Sequence, residues 1–134
     1  MAYWLIKSEP SAYSWDQLVK DKKTSWTGVR NFQAQINLKA MKVGDRCFFY
    51  HSNEGKEIVG IAEVVKAAYP DPTDEAGKAV TVDVKAIGPV NKPVTLAAIK
   101  ADPKLKDFGL VRQSRLSVVP VSAEQWKLIE KMAK

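Results

Sequence analysis

A chain of 134 residues is long enough to bury its own core as one domain, and 46% hydrophobic with 27% charged residues is an ordinary balance for a soluble globular protein. The single cysteine excludes an internal disulfide, one cysteine with one histidine excludes a structural zinc site, and no apolar run is long enough for a membrane span. The net charge of +6 points toward polyanionic partners, and residues 84–134, with ten basic and four acidic side chains, carry all of the excess.

The apolar start, Met1 to Ile6, gives way at once to Lys7 and Glu9, too soon for a signal-peptide core, so a cytoplasmic protein without a targeting segment is expected. Residues 3–7 (Tyr-Trp-Leu-Ile-Lys) predict a strand that Pro10 ends. Ser14 and Gln17 fit a capping box opening a short helix to about residue 20, and residues 21–24 a polar turn. Asn31 can cap a helix over residues 32–40, because its side-chain oxygen can accept from the free N–H groups of the first turn. Residues 46–51 predict a strand, 54–56 a hairpin loop and 58–67 the partner strand. Residues 69–78 hold two prolines, a glycine and three acids and predict a loop. The clearest period-two pattern, at 80, 82 and 84, predicts a strand over 80–87, after which Pro89 and Pro93 bracket a turn. Thr95 caps a helix to about residue 100, residues 115–119 form a strand, and Ser122 with Gln125 makes a second capping box for a final helix. About five strands interleaved with short helices, with no repeat or interior linker, predict a single α+β domain over 1–134 on a small, strongly curved sheet.

Catalysis by Cys47 and His51 is excluded if they share a strand, because four residues put their α-carbons about 13 Å apart, whereas a thiol–imidazole bond needs about 3 Å. Cys47 fits a small core residue. The acidic loop with Asp71, Asp74 and Glu75 lacks the pattern of a calcium loop, and no glycine run cradles a phosphate, so neither metal nor cofactor is expected.

Residues 24–37 stand out. Trp26 offers a flat face for stacking, Gly28 a backbone free to bend or approach a ligand, and Arg30 a fork of donors. The alternative for Trp26 is the core, and for Asn31 capping alone. Residues 50–53 (Tyr-His-Ser-Asn) end a strand with an aromatic face and several donors and acceptors, suited to an extruded base, or they start a hairpin turn. Ser8 and Glu9 end the first strand, where Glu9 can accept from an exocyclic amine or pair with a surface lysine. Tyr69-Pro70-Asp71 forms either a pocket rim or a turn. Arg112 and Arg115, with Lys104 and Lys106 near in sequence, are candidates for phosphate contacts, with internal pairing of Arg115 to Asp45 or Asp83 as the alternative.

Trp26-Thr27-Gly28-Val29-Arg30-Asn31 resembles the signature of the EVE domain, a member of the PUA-like superfamily. The resemblance continues through residues 4–10, 48–53, 69–72 and 115–118, in family order and across nearly the whole chain. It implies a small PUA-like mixed β-barrel and a non-enzymatic reader of modified bases in DNA or RNA. Such a module holds a flipped nucleotide, as the similar YTH domains hold methyladenine in an aromatic cage. It also implies a base pocket of Ser8, Trp26, Gly28, Val29, Arg30, Asn31, His51, Ser52, Pro70 and Asp71, with Arg115 beside it. This chain departs from the family pattern at Phe32, where tyrosine is common, at Gln35, where arginine is common, and at 79–80, where a tryptophan is often found. Two rival readings are a small ASCH-type hydrolase of a modified nucleoside, using Lys7, Glu9 or Thr27, and a protein-interaction domain whose basic face meets an acidic partner.

Overall fold

Local caps set most of the helices. The computed structural model describes residues 1–134, in the order β1 (Tyr3–Ser8), α1 (Trp15–Asp21), β2 (Lys23–Ser25), α2 (Phe32–Ala40), β3 (Arg46–His51), β4 (Glu57–Pro70), β5 (Val80–Thr95), α3 (Leu96–Ala101), α4 (Gly109–Arg112), β6 (Val118–Val121) and α5 (Ala123–Met132). Ser14, Asn31 and Thr95 each accept from the backbone N–H three residues on, and Ser122 with Gln125 closes a full capping box. The box at Ser14 is only half made: the Gln17 side chain turns toward Asp21, to which its amide donates, and does not accept from the Ser14 N–H.

The six strands form one sheet in the order β2-β5-β4-β3-β1-β6, with β1 and β3 parallel and every other pair antiparallel. β2 and β6 lie at opposite edges, yet α2 reaches both ends of the sheet. Gln35 accepts from the Val80 N–H (2.8 Å) and donates to the carbonyls of Val80 (3.0 Å) and Val29 (2.7 Å), while Asn37 donates to the Val118 carbonyl (2.7 Å). One helix can bridge β5 and β6 in this way only if the sheet curls around it. Both amides are buried, and each would leave strand backbone groups unpaired if lost, at about 1–3 kcal/mol per group.

Four local expectations are corrected. β5 runs on through Pro89 and Pro93 to Thr95 rather than turning. β2 pairs only with residues 83–85, so farther along β5 one side has no strand beside it, and there the missing proline N–H is tolerated. Residues 23–25 of the expected polar turn form β2, the sixth strand. Tyr69 and Pro70 belong to β4 rather than to the loop. β6 begins at Val118, because the Leu116 N–H bonds back to Gln113 and leaves Arg115 on a tight turn.

β3 is packed on both sides. Phe49 meets Trp15 (5.4 Å between centroids) and Trp26 (5.6 Å) edge-on, while Phe48 stacks on Trp126 (3.7 Å) beneath Tyr3. Gly60 is fixed by close approach, since a β-carbon there would meet the Trp15 ring at 2.5 Å. No helix is long and apolar enough to cross a membrane.

Candidate functional site

The end of β1, the segment before α1 and the loop of residues 24–30 enclose a cavity of about 480 Å³, within the usual range for a small-ligand site. Trp26 and Tyr13 form its aromatic walls, with ring centroids 6.3 Å apart and planes at 87°. Trp26 is 8% exposed, its other side wedged against Phe49, and its backbone N–H donates to the Val82 carbonyl (2.8 Å). Tyr13 is tied at both ends: the Ser8 hydroxyl donates to its carbonyl (2.6 Å) and its own hydroxyl donates to Asp21 (2.9 Å). Ser8 therefore lines the cavity with its hydroxyl already engaged.

Asp71 fixes the shape of the 24–30 loop from behind. Its side chain has no exposure and accepts from the Gly28 N–H (2.9 Å), Arg30 Nη1 (3.0 Å), the Thr73 N–H (2.7 Å) and the Thr73 hydroxyl (2.6 Å). Burial alone would raise its pKa. The bonds from Thr73, Gly28 and Arg30 outweigh that and hold the carboxyl well below the usual range. Gly28 takes φ +84°, a conformation that favours glycine. Arg30 spends its fork on Asp71, Thr73 and the Val29 carbonyl, so it braces the wall rather than offering a free fork. Asp71 likewise faces the loop backbone instead of a base amine, and Pro70 sits outside the cavity at the end of β4. Tyr69 also supports the wall, its hydroxyl bonded to Ser25 (2.9 Å) and to Asp83.

Asn31 caps α2 (2.9 Å to the Ala34 N–H) and borders a separate depression with Gln33, Arg112 and Arg115. His51 is not on the cavity. Strand alternation turns it to the Trp15 side, where Nε2 accepts from the Trp15 N–H (3.0 Å), so the neutral ring caps α1. Burial pushes its pKa down, against the opposing pull of Glu57 and Asp16. The unfolded chain therefore binds the extra proton first, and this cap's stability is whole above about pH 6.5 and declines as pH falls below it. The difference in thermal midpoint between wild type and His51→Gln should narrow from pH 7.5 to pH 5. Parallel curves would contradict the cap. Cys47, on the same strand, is fully buried, and burial pushes its thiol far up, away from any nucleophilic role.

Tyr50, Ser52 and Asn53 line an adjoining groove of about 560 Å³, which shares Lys7, Ser8, Glu9 and Ser117 with the aromatic cavity. Arg115 borders this groove and has no carboxylate partner. Asp45 is engaged by Trp4 and by the Ala2 and Lys42 N–H groups, and Asp83 by Tyr69. Arg112 pairs with Asp107 (3.0 Å), while Lys104 and Lys106 lie in another depression, beside Asp107 and Glu124.

The family model for the EVE domain matches residues 2–132. The chain belongs to the EVE domain family. Human thymocyte nuclear protein 1 is 32% identical over 96% of this chain and 72% of its own length. An NMR structure of Rpa0253 from Rhodopseudomonas palustris matches with a TM-score of 0.94 at 61% identity, over 99% of this chain and 93% of that one. The crystal structure of human THYN1 in complex with DNA containing 5-methylcytosine matches with a TM-score of 0.92 at 31% identity, over 100% and 98% of the two chains. An ASCH protein from Zymomonas mobilis shares the fold alone, with a TM-score of 0.65 at 13% identity over the full length of both.

Within this EVE domain, the departures from the family pattern have structural readings. Gln35, where arginine is common in the family, is the bridge between α2 and β5. Phe32 stands 80% exposed at the start of α2. Ala79 and Val80 lie behind the loop, away from the cavity lining. Sequence reasoning missed Tyr13 as a wall; its one signal was an aromatic residue directly before a helix cap.

Proposed function

We propose that this EVE domain is a non-enzymatic nucleic-acid-binding module that captures one flipped, modified base, a cytosine or adenine derivative, in the cavity that Trp26 and Tyr13 line. The observation that carries the reading is an aromatic-walled cavity of about 480 Å³, roomy enough for a base, built on the signature loop. The human relative crystallised with 5-methylcytosine DNA supports it. Stacking supplies roughly 1–3 kcal/mol per base and extrusion from a duplex costs a few, so single strands and weakened pairs are favoured over plain duplex. Ser8, Gly28 and Val29 complete the wall, Arg30 and Asp71 brace it, and Arg115, with Arg112 beyond it, meets phosphate. A cytoplasmic setting belongs to the same reading.

The test is a binding screen against matched single-stranded DNA and RNA oligonucleotides that differ in one central base: cytosine, 5-methylcytosine, adenine or N6-methyladenine. One modified base should bind more tightly than its unmodified parent, by the part of the stacking and pocket contact that the modification adds. Equal affinity across the panel would overturn the reading. Arg115→Ala should weaken every oligonucleotide alike and reduce the salt slope by about 0.7, the share of one single-strand phosphate.

One observation favours the hydrolase reading: Lys7, Glu9 and Thr27 all line the same cavity, and burial lowers the Lys7 pKa. Turnover of an acylated or methylated nucleoside without added metal would replace capture by hydrolysis.

A further inference from the structure

Of the unpaired cations that line the base cavity and the groove beside it, most lie in the groove. The cavity itself is lined by two cations, Lys7 and Arg30, and Arg30 is paired with Asp71. The adjoining groove is lined by four, Lys7, Lys56, Lys100 and Arg115, against the single acid Glu9. None of these four has a carboxylate within 4.0 Å; the ion pairs of this chain join Arg30 to Asp71, Arg46 and Lys85 to Glu63, and Arg112 to Asp107. Four unpaired cations on one concave surface hold a self-repulsive charge that a polyanion relieves.

The groove is rigid. Its walls come from four segments fastened through the backbone: the Ser52 N–H to the Ser8 carbonyl (2.9 Å), the Leu96 N–H to the Lys56 carbonyl (2.9 Å) and the Lys7 N–H to the Ser117 carbonyl (3.0 Å). The Lys7 ammonium donates to the Ser114 carbonyl (2.9 Å), which holds it at the boundary of cavity and groove. Lys56 sits at φ +48°, a conformation that disfavours any residue with a β-carbon, and the Leu96 bond holds it there. Lys56 and Lys100 are thus set on opposite ends of one fastened unit, the turn before β4 and helix α3.

We propose that the strand carrying the captured base leaves the cavity on one side only, through this groove, with its phosphates held by Lys56 and Lys100 and the phosphate next to the captured nucleotide beside Lys7. The proposal rests on the base-capture reading and adds a polarity to it: nucleotides on one side of the modified base are bound, and those on the other are not. Glu9 lies at the junction, where the chain passes from base to backbone, and the groove beyond it is lined by no other carboxylate.

The experiment uses short single-stranded DNA oligonucleotides with one 5-methylcytosine at the 5′ end, the centre or the 3′ end, and unmodified controls. Each is titrated against wild type and Lys56→Gln/Lys100→Gln over a range of salt. One end-labelled oligonucleotide should bind like the central one and the other about tenfold more weakly. The double variant should abolish that difference and lower the salt slope by about 1.4, two single-strand phosphates, while preserving the preference for 5-methylcytosine over cytosine. A double variant that binds every oligonucleotide with wild-type affinity and slope overturns the groove assignment, as does equal weakening of both polarities. If the preference for the modified base is absent in wild type while the variant still lowers affinity and slope, base capture fails and the phosphate groove stands. No binding of any oligonucleotide overturns both.

Discussion

Trp26→Ala is expected to erase the preference for a modified base, while binding to unmodified oligonucleotides through the basic groove persists. The indole lines the cavity beside Tyr13 and is held edge-on by Phe49, so the position of the ring is fixed before a base enters. Base–aromatic stacking of roughly 1–3 kcal/mol corresponds to about 5- to 150-fold in affinity, and the part of it that depends on the modification disappears with the ring. The same substitution opens a void in the core. Truncating a buried tryptophan costs about 3–5 kcal/mol, out of a typical stability of about 5–15 kcal/mol. Trp26→Phe therefore accompanies it: a smaller ring keeps the contact with Phe49 and should retain a reduced discrimination. Circular dichroism separates loss of fold from loss of the wall. If Trp26→Ala is folded and still discriminates, the base does not stack on this residue, and the cavity has another occupant.

The parts of this fold that were legible in the sequence are those fixed by neighbours in the chain. Helix α2 spans residues 32–40 as its Asn31 cap predicts, and β3 spans residues 46–51 as its aromatic run predicts. The course of β5 past two prolines was not legible, because tolerance for a missing N–H depends on β2 ending where it does across the sheet. The same holds for Gln35 and Asn37, whose residue types suit a polar helix face and whose roles appear only when the sheet curls around α2. At the site, one loop supplies Trp26, Gly28, Val29 and Arg30, so a contiguous signature marks a contiguous wall. His51 and Asp71 show the limit. Each carries chemistry suited to a base, and in each case a backbone N–H from a distant segment, Trp15 or Gly28, claims the polar atom. Sequence spacing says which residues share a strand face, but not which orphaned donor lies opposite.

Asp71→Ala should cost nearly as much binding as the loss of Trp26, although no atom of Asp71 lines the cavity. Removing its carboxylate leaves the Gly28 N–H, the Thr73 N–H and hydroxyl, and one face of the Arg30 guanidinium without their acceptor. Breaking a buried ion pair from one side costs about 3–5 kcal/mol. Arg30 is 44% exposed and recovers part of that from water, so about 2–4 kcal/mol is expected. Asp71→Asn keeps the shape but turns an amide donor toward donors, and should fall between alanine and wild type. Gly28→Ala tests the same loop by another route. A β-carbon there meets nothing within 4 Å, so its whole effect is the backbone penalty at φ +84°, about 1–2 kcal/mol. The depressed pKa adds a pH signature. The Asp71 contribution is whole above its ordinary value of 3.8 and is lost as pH falls below it, so loop and binding should survive the pH 5 conditions that weaken the His51 cap. Amide exchange at Gly28 and the thermal midpoint read this directly. Wild-type exchange and wild-type affinity in Asp71→Ala would show that the loop holds its shape unaided, and the buried carboxylate would then have no part in forming the cavity.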